Sequence, residues 1–201
     1  KLLLRLPRAQ HLTAWYQGSR LDGVQGYKDL HGGLGRLQSA FDPQRLHFFY
    51  GRYEKLRAGP LDSLTATFSV NAQRDGTVRQ GLRFSDPVIR DLTAVDAYGY
   101  ALQAARSIGA RQAVVFGGEI YDETIGAERT SRLLAGETRR ERALYPDGSR
   151  YTTWALYAHD TLELGRLRLT GGGRLTGIAS RTYAGRNPGL GVADSSQGFR
   201  D

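Results

Sequence analysis

Leu64-Thr65-Ala66-Thr67-Phe68-Ser69-Val70-Asn71-Ala72-Gln73 is the stretch whose reading decides the fold. Its apolar residues fall at every second position and its polar residues fill the gaps. In a β-strand successive side chains leave opposite faces, so this pattern describes a strand with one apolar and one polar environment. A helix would scatter the same apolar residues around its whole circumference. The hydroxyl and β-branched residues also suit a pleated surface.

Working outward, the same period of two recurs. Leu12, Ala14 and Tyr16 alternate with Thr13, Trp15 and Gln17. Tyr98, Tyr100, Leu102 and Ala104 alternate with Gly99, Ala101 and Gln103, and Trp154, Leu156 and Ala158 with Ala155, Tyr157 and His159. Leu167, Leu169 and Leu175 continue the pattern around Gly171–Gly173, whose glycines fit a bend or curvature. The alternation is less clean near 45–55 and 112–121. The chain is expected to form about eight strands, near 2–6, 11–19, 45–55, 61–73, 94–105, 112–121, 150–162 and 166–180.

The predicted links alternate in length. Pro7–Gln10, Arg57–Pro60, Ser107–Ala110 and Glu163–Gly165 are short and supply the Gly or Pro a tight turn needs. About 20–44, 74–93, 122–149 and the stretch from 181 onward are long. An antiparallel up-and-down meander returns to the same rim at every second link, so the short links share one rim and the long ones the other. Long loops of this kind are uncommon in compact soluble domains and expected on the outer side of a bacterial outer-membrane barrel. The fold class expected is all-β, an antiparallel meander forming part of a transmembrane β-barrel. Trp15, Tyr16, Tyr50, Tyr53, Tyr121, Tyr151, Trp154 and Tyr157 are expected in interfacial girdles.

Composition narrows the alternatives. The 201 residues have 40% hydrophobic content and no run near the roughly 18 apolar residues of a membrane helix. Cysteine is absent, which removes disulfides, thiolate zinc sites and thiol nucleophiles. Methionine is absent too, the chain opens on Lys1-Leu2-Leu3-Leu4, and no signal peptide is visible, so a segment of a longer protein is expected. The net charge of +8 comes mostly from Arg, since Lys occurs only at 1, 28 and 55. These Arg residues are scattered rather than gathered in a stripe, which argues against a nucleic-acid partner. They suit bidentate contacts to lipopolysaccharide phosphates.

Several runs carry a family likeness: Phe41-Asp42-Pro43-Gln44-Arg45; Gly59-Pro60-Leu61-Asp62-Ser63-Leu64; Phe116-Gly117-Gly118-Glu119-Ile120-Tyr121-Asp122; Tyr145-Pro146-Asp147-Gly148-Ser149-Arg150-Tyr151; and Ala155–Leu162 followed by Arg166–Arg174. Their ordered series resembles the barrel portion of TonB-dependent outer-membrane receptors, from about Leu2 to Ser180. The resemblance implies a location in the outer membrane of a Gram-negative cell. It also implies uptake of a scarce solute such as an iron chelate, haem or a cobalamin-like compound. In that family a plug domain fills a 22-stranded barrel, and a TonB box before the plug receives energy from the TonB complex. Neither plug nor box is visible in this sequence, so the chain corresponds to about a third of such a barrel. Two other readings remain open: a complete eight-stranded outer-membrane barrel with an adhesion or structural role, and a soluble β-rich binding module.

No catalytic, cofactor-binding or metal-binding residues are assigned, and no enzyme activity or cofactor is expected. His159 and Asp160 are neighbours on a strand and therefore point to opposite faces. His11, His31 and His47 lack metal-ligand spacing. Glu119, Asp122 and Glu123 gather acidic groups near a strand end, where a solvated loop entrance is expected in preference to a cation site. Gly32-Gly33-Leu34-Gly35-Arg36 lacks the strand–turn–helix context of a phosphate loop and reads as flexible loop. Ala127–Arg142, rich in Glu and Arg, is expected to form a short helix above the barrel mouth and to take part in ligand recognition.

Overall fold

A computed structural model describes residues 1–26, 35–186 and 193–200. His31 and the Gly32–Leu34 part of the glycine-rich run lie outside the described residues. The chain folds as one antiparallel sheet of ten strands, and the all-β expectation holds. The strands are β1 Leu2–Leu6, β2 Gln10–Leu21, β3 Gln38–Ala58, β4 Leu61–Gln80, β5 Val88–Ile108, β6 Gln112–Arg132, β7 Thr138–Glu141, β8 Ser149–Leu164, β9 Leu167–Thr182 and β10 Ser195–Arg200. Neighbours in sequence are neighbours in the sheet, except that β7 is a short flap on the end of β6 and β8 pairs with the rest of β6. The sheet is open: β1 and β10 are its two ends.

All four short links form where the sequence places them. Gly59, Gly109 and Gly165 adopt φ of 64°, 63° and 64°, a left-handed conformation that costs glycine nothing. The first link achieves its turn without glycine, on Arg8 (φ 60°) and Ala9 (φ 54°).

The long links differ from expectation. β3, β5 and β6 each run for 21 residues and β4 for 20, so strand pairing continues well past the positions where alternation fades. The link expected at 74–93 shrinks to 81–87. The helix expected at Ala127–Arg142 is instead the end of β6 and a hairpin into β7, in which Arg129 faces Glu141 and Arg132 faces Thr138. The trailing segment contributes β10, which pairs with β9 from Ser195 to Arg200. Ten strands thus replace the eight expected.

One irregularity reorients β3. Phe41 pairs with Thr77 and Gln44 with Asp75, so Asp42 and Pro43 together oppose Gly76 in a β-bulge. Proline lacks the N–H a ladder needs and is tolerated at such a point. A Cβ on Gly76 would collide with the Asp42 carbonyl and the Pro43 ring, so only glycine fits beneath the bulge. The extra residue also reverses the phase of alternation within β3.

Candidate membrane-facing surface

Register assigns every side chain to a face, because directly paired residues share one. Phe68 pairs with Gly51 and Tyr100; Tyr100 pairs with Ile120, Ile120 with Trp154, and Trp154 with Gly177. One rung nearer the short turns, Leu4, Leu12, Tyr53, Ala66, Leu102, Gly118, Leu156 and Leu175 stand in line. This face is apolar and open to its surroundings: Tyr100, Leu102 and Leu156 are 52%, 54% and 58% exposed. A shallow apolar hollow crosses it, lined by Leu12, Phe68, Leu102, Trp154 and Leu156 among others. Only six apolar residues, five of them Ala, are buried among the described residues. The sheet therefore has no core of its own, and its apolar side chains are turned outward.

The opposite face is polar at the same height. Thr65, Thr67, Ser69 and Asn71 line β4 there. Arg174 Nη2 lies 2.5 Å from Glu119 Oε1, Arg52 lies 3.5 Å from Glu54, and the Tyr157 hydroxyl donates to Gln103 Oε1 over 3.0 Å. Asn71 Oδ1 is buried without a partner among the described residues.

The aromatic girdle is corrected by this assignment. Of the eight aromatics expected there, Tyr16, Tyr53 and Trp154 lie on the apolar face, whereas Trp15, Tyr50, Tyr121, Tyr151 and Tyr157 lie on the polar face. Phe49, Phe68, Tyr98, Tyr100 and Phe116 complete the apolar set. Two tyrosine hydroxyls, those of Tyr16 and Tyr53, find partners at the edges of the apolar band. Tyr16 Oη lies 2.7 Å from His47 Nδ1 at the long-loop side, and Tyr53 Oη donates to Gln10 Oε1 over 2.6 Å at the short-turn side. A buried or lipid-facing hydroxyl needs such a partner.

Charged residues bound the apolar band on the long-loop side. Arg20, Arg45 and Arg74 occupy one rung, in which each is the direct partner of the next. Asp22, just beyond β2, bridges Arg20 and Arg45, with Arg45 Nη2 at 3.1 Å. The hydrogen bond from Arg20, with further help from Arg45, holds the Asp22 carboxyl below the usual carboxylate range. Arg74 makes two parallel hydrogen bonds to Asp96, each 2.9 Å, and Arg150 makes two to Asp122, at 2.7 and 2.6 Å. Such forked pairs fit guanidinium to carboxylate geometry.

This boundary is oblique to the rungs. The first charge on the apolar face is Arg20 on β2, but on β5 it is Asp96, two residues closer to the Phe68 rung, and on β6 it is Asp122, two closer again. The short-turn boundary moves in the same direction: Gln10 on β2 lies on the Phe116 rung, while the corresponding polar residue of β6 is Gln112, four residues further out. Both edges drift by four residues over the four strand-to-strand steps from β2 to β6, and on β8 and β9 the long-loop edge steps back one rung, to Arg150 and Arg181. With about 3.3 Å per residue and about 4.8 Å between strands, the strands lean about 35° from the normal to the band. Asp160 on β8 interrupts the apolar face: its Oδ2 accepts a 2.8 Å hydrogen bond from Gln112 and its Oδ1 has no partner among the described residues.

No protein-family model matches this chain, and no curated protein matches it. The candidate chemical groups do not converge. His159 lies on the polar face and Asp160 on the apolar one. Glu119 is paired with Arg174 and Asp122 with Arg150 on the opposite face, so these two cannot join Glu123 around one cation. Among the described residues no group of three or more His, Asp or Glu could hold a metal ion. Sequence reasoning missed the Arg–Asp row, whose signal is visible once register is known: the first charge after each apolar run is Arg or Asp.

Proposed function

We propose that this chain forms wall strands of an outer-membrane β-barrel, with the Phe68 face toward lipid and the Thr67 face toward the lumen. The oblique drift of the apolar band from β2 to β6 carries this reading. Membrane barrels tilt their strands by about 35–45° while lipid imposes a band perpendicular to the barrel axis, so both edges of the band must slide along successive strands together. The exposed apolar face, the tyrosines anchored at both edges and the polar opposite face support it. On the resemblance set out above, the parent would be a TonB-dependent receptor importing a scarce solute such as an iron chelate, and the TonB complex would act through parts other than these strands.

The test is a pair of substitutions one residue apart. Phe68→Arg should impair assembly into the outer membrane at a cost of about 2–4 kcal/mol for a site near the bilayer midplane, whereas Thr67→Arg should be tolerated. Heat-modifiable migration of membrane fractions in detergent gels reads the folded fraction. Equal tolerance of both would refute the face assignment.

A further inference from the structure

Arg150 and Arg181 are direct cross-strand partners on β8 and β9, on the apolar-face side and just beyond the band. Like charges placed directly opposite repel. Arg150 is compensated by Asp122, which also accepts a 2.7 Å hydrogen bond from the Thr152 hydroxyl. Arg181 has no partner among the described residues. The rung continues to Ser196 on β10, and Arg150, Arg181, Thr152, Tyr183 and Ser196 line a hollow of about 210 Å³. A third guanidinium stands beside it, since Arg186 stacks 4.2 Å from the centre of the Tyr183 ring. The Arg181 guanidinium and the Ser196 hydroxyl thus meet beside Arg150, whose charge Asp122 balances, while the nearby Asp194 carboxylate accepts a 3.0 Å hydrogen bond from the Gly185 N–H.

We infer that this hollow binds a phosphate group of an outer-leaflet phosphoglycolipid. The inference rests on the membrane reading above and assigns it a specific lipid contact. Position selects a lipid over a soluble anion: one rung toward the short turns lie Thr152 and Ala179, and the next carries Trp154, whose indole covers Gly177. Leu156 and Leu175 follow. A phosphate in the hollow would place its acyl chains along these apolar residues. Guanidinium groups suit the phosphate because they offer forked donors and remain charged at any physiological pH.

The test uses protein extracted in detergent from the outer membrane, titrated with diphosphoryl lipid A, with the same glycolipid after phosphate removal, and with inorganic phosphate. Wild type should prefer the phosphorylated lipid to both other probes. Arg181→Gln should weaken that binding by about tenfold or more, the loss of a charged hydrogen-bond pair, without changing affinity for the dephosphorylated lipid. Arg181→Lys should retain part of it. Equal binding of both lipids, or no effect of Arg181→Gln, overturns the inference, and tighter binding of inorganic phosphate shows a soluble-anion site instead. Heat-modifiable migration of each variant separates this outcome from failure of the membrane reading, which would appear as wild type that never assembles.

Discussion

Gly177 and Trp154 show how single residues keep this sheet regular. They are direct partners on β9 and β8, and the indole lies over the glycine so closely that a Cβ there would overlap the ring. Glycine weakens a strand when nothing packs on it, and a large aromatic across the ladder makes good the loss. Gly117 and Tyr157 repeat the arrangement on the other face, where the phenol reaches Gln103. Gly177→Val should displace the indole and cost about 1–3 kcal/mol, as overpacking does. Trp154→Ala should abolish most of that penalty in a double-mutant cycle. Urea unfolding followed by far-UV circular dichroism, a probe that survives removal of the indole, gives both values; an additive cycle would show that the two residues do not interact.

At the scale of the element, legibility followed contrast between faces. The middle of β4 was plain in the sequence because Leu64–Ala72 has one apolar and one polar side. Beyond Arg74 both sides of the same strand are polar or mixed, period-two alternation vanishes, and the sequence reads as loop although pairing continues to Gln80. Backbone hydrogen bonds leave no trace in composition. The helix expected at Ala127–Arg142 failed for a related reason: its Glu and Arg residues match helical spacing but serve a cross-strand ladder. Arg79 and Arg129 both contact Asp91 from neighbouring strands, and Glu141 stands opposite Arg129. The Arg–Asp row and the Arg150–Arg181 hollow were illegible because register, not spacing, brings their residues together. Hydrogen exchange tests the extension. Amides of 75–80 and 88–93 should be protected as paired strand, and Asp91→Ala, which removes the carboxylate between Arg79 and Arg129, should lower that protection by about 1 kcal/mol while sparing the apolar band. Loop-like exchange in wild type would contradict the extended strands.

At the scale of the molecule the two outermost strands matter most. β1 and β10 each present one side without a partner among the described residues. Unpaired backbone groups are untenable in hydrocarbon and attract other strands in water. A chain of these 201 residues alone, refolded in detergent, should therefore associate, and sedimentation should show species larger than a monomer at all but the lowest concentrations. A monodisperse monomer would mean that these edges are satisfied without further strands.

The polar continuations of β3 to β6 also set a height. From Arg74 to Gln80 a strand climbs about 20 Å, and the 81–87 tip at its top carries Leu82 and Phe84, 66% and 80% exposed. Across the sheet, Leu134 stands at the tip of the β6–β7 hairpin, 78% exposed. These apolar side chains are held aloft on paired strands, so a visiting molecule that touched them would freeze little loop motion and lose little entropy in doing so. The first surface met from outside would be stiff and greasy at its points, a set of fixed teeth rather than a fringe of tethers.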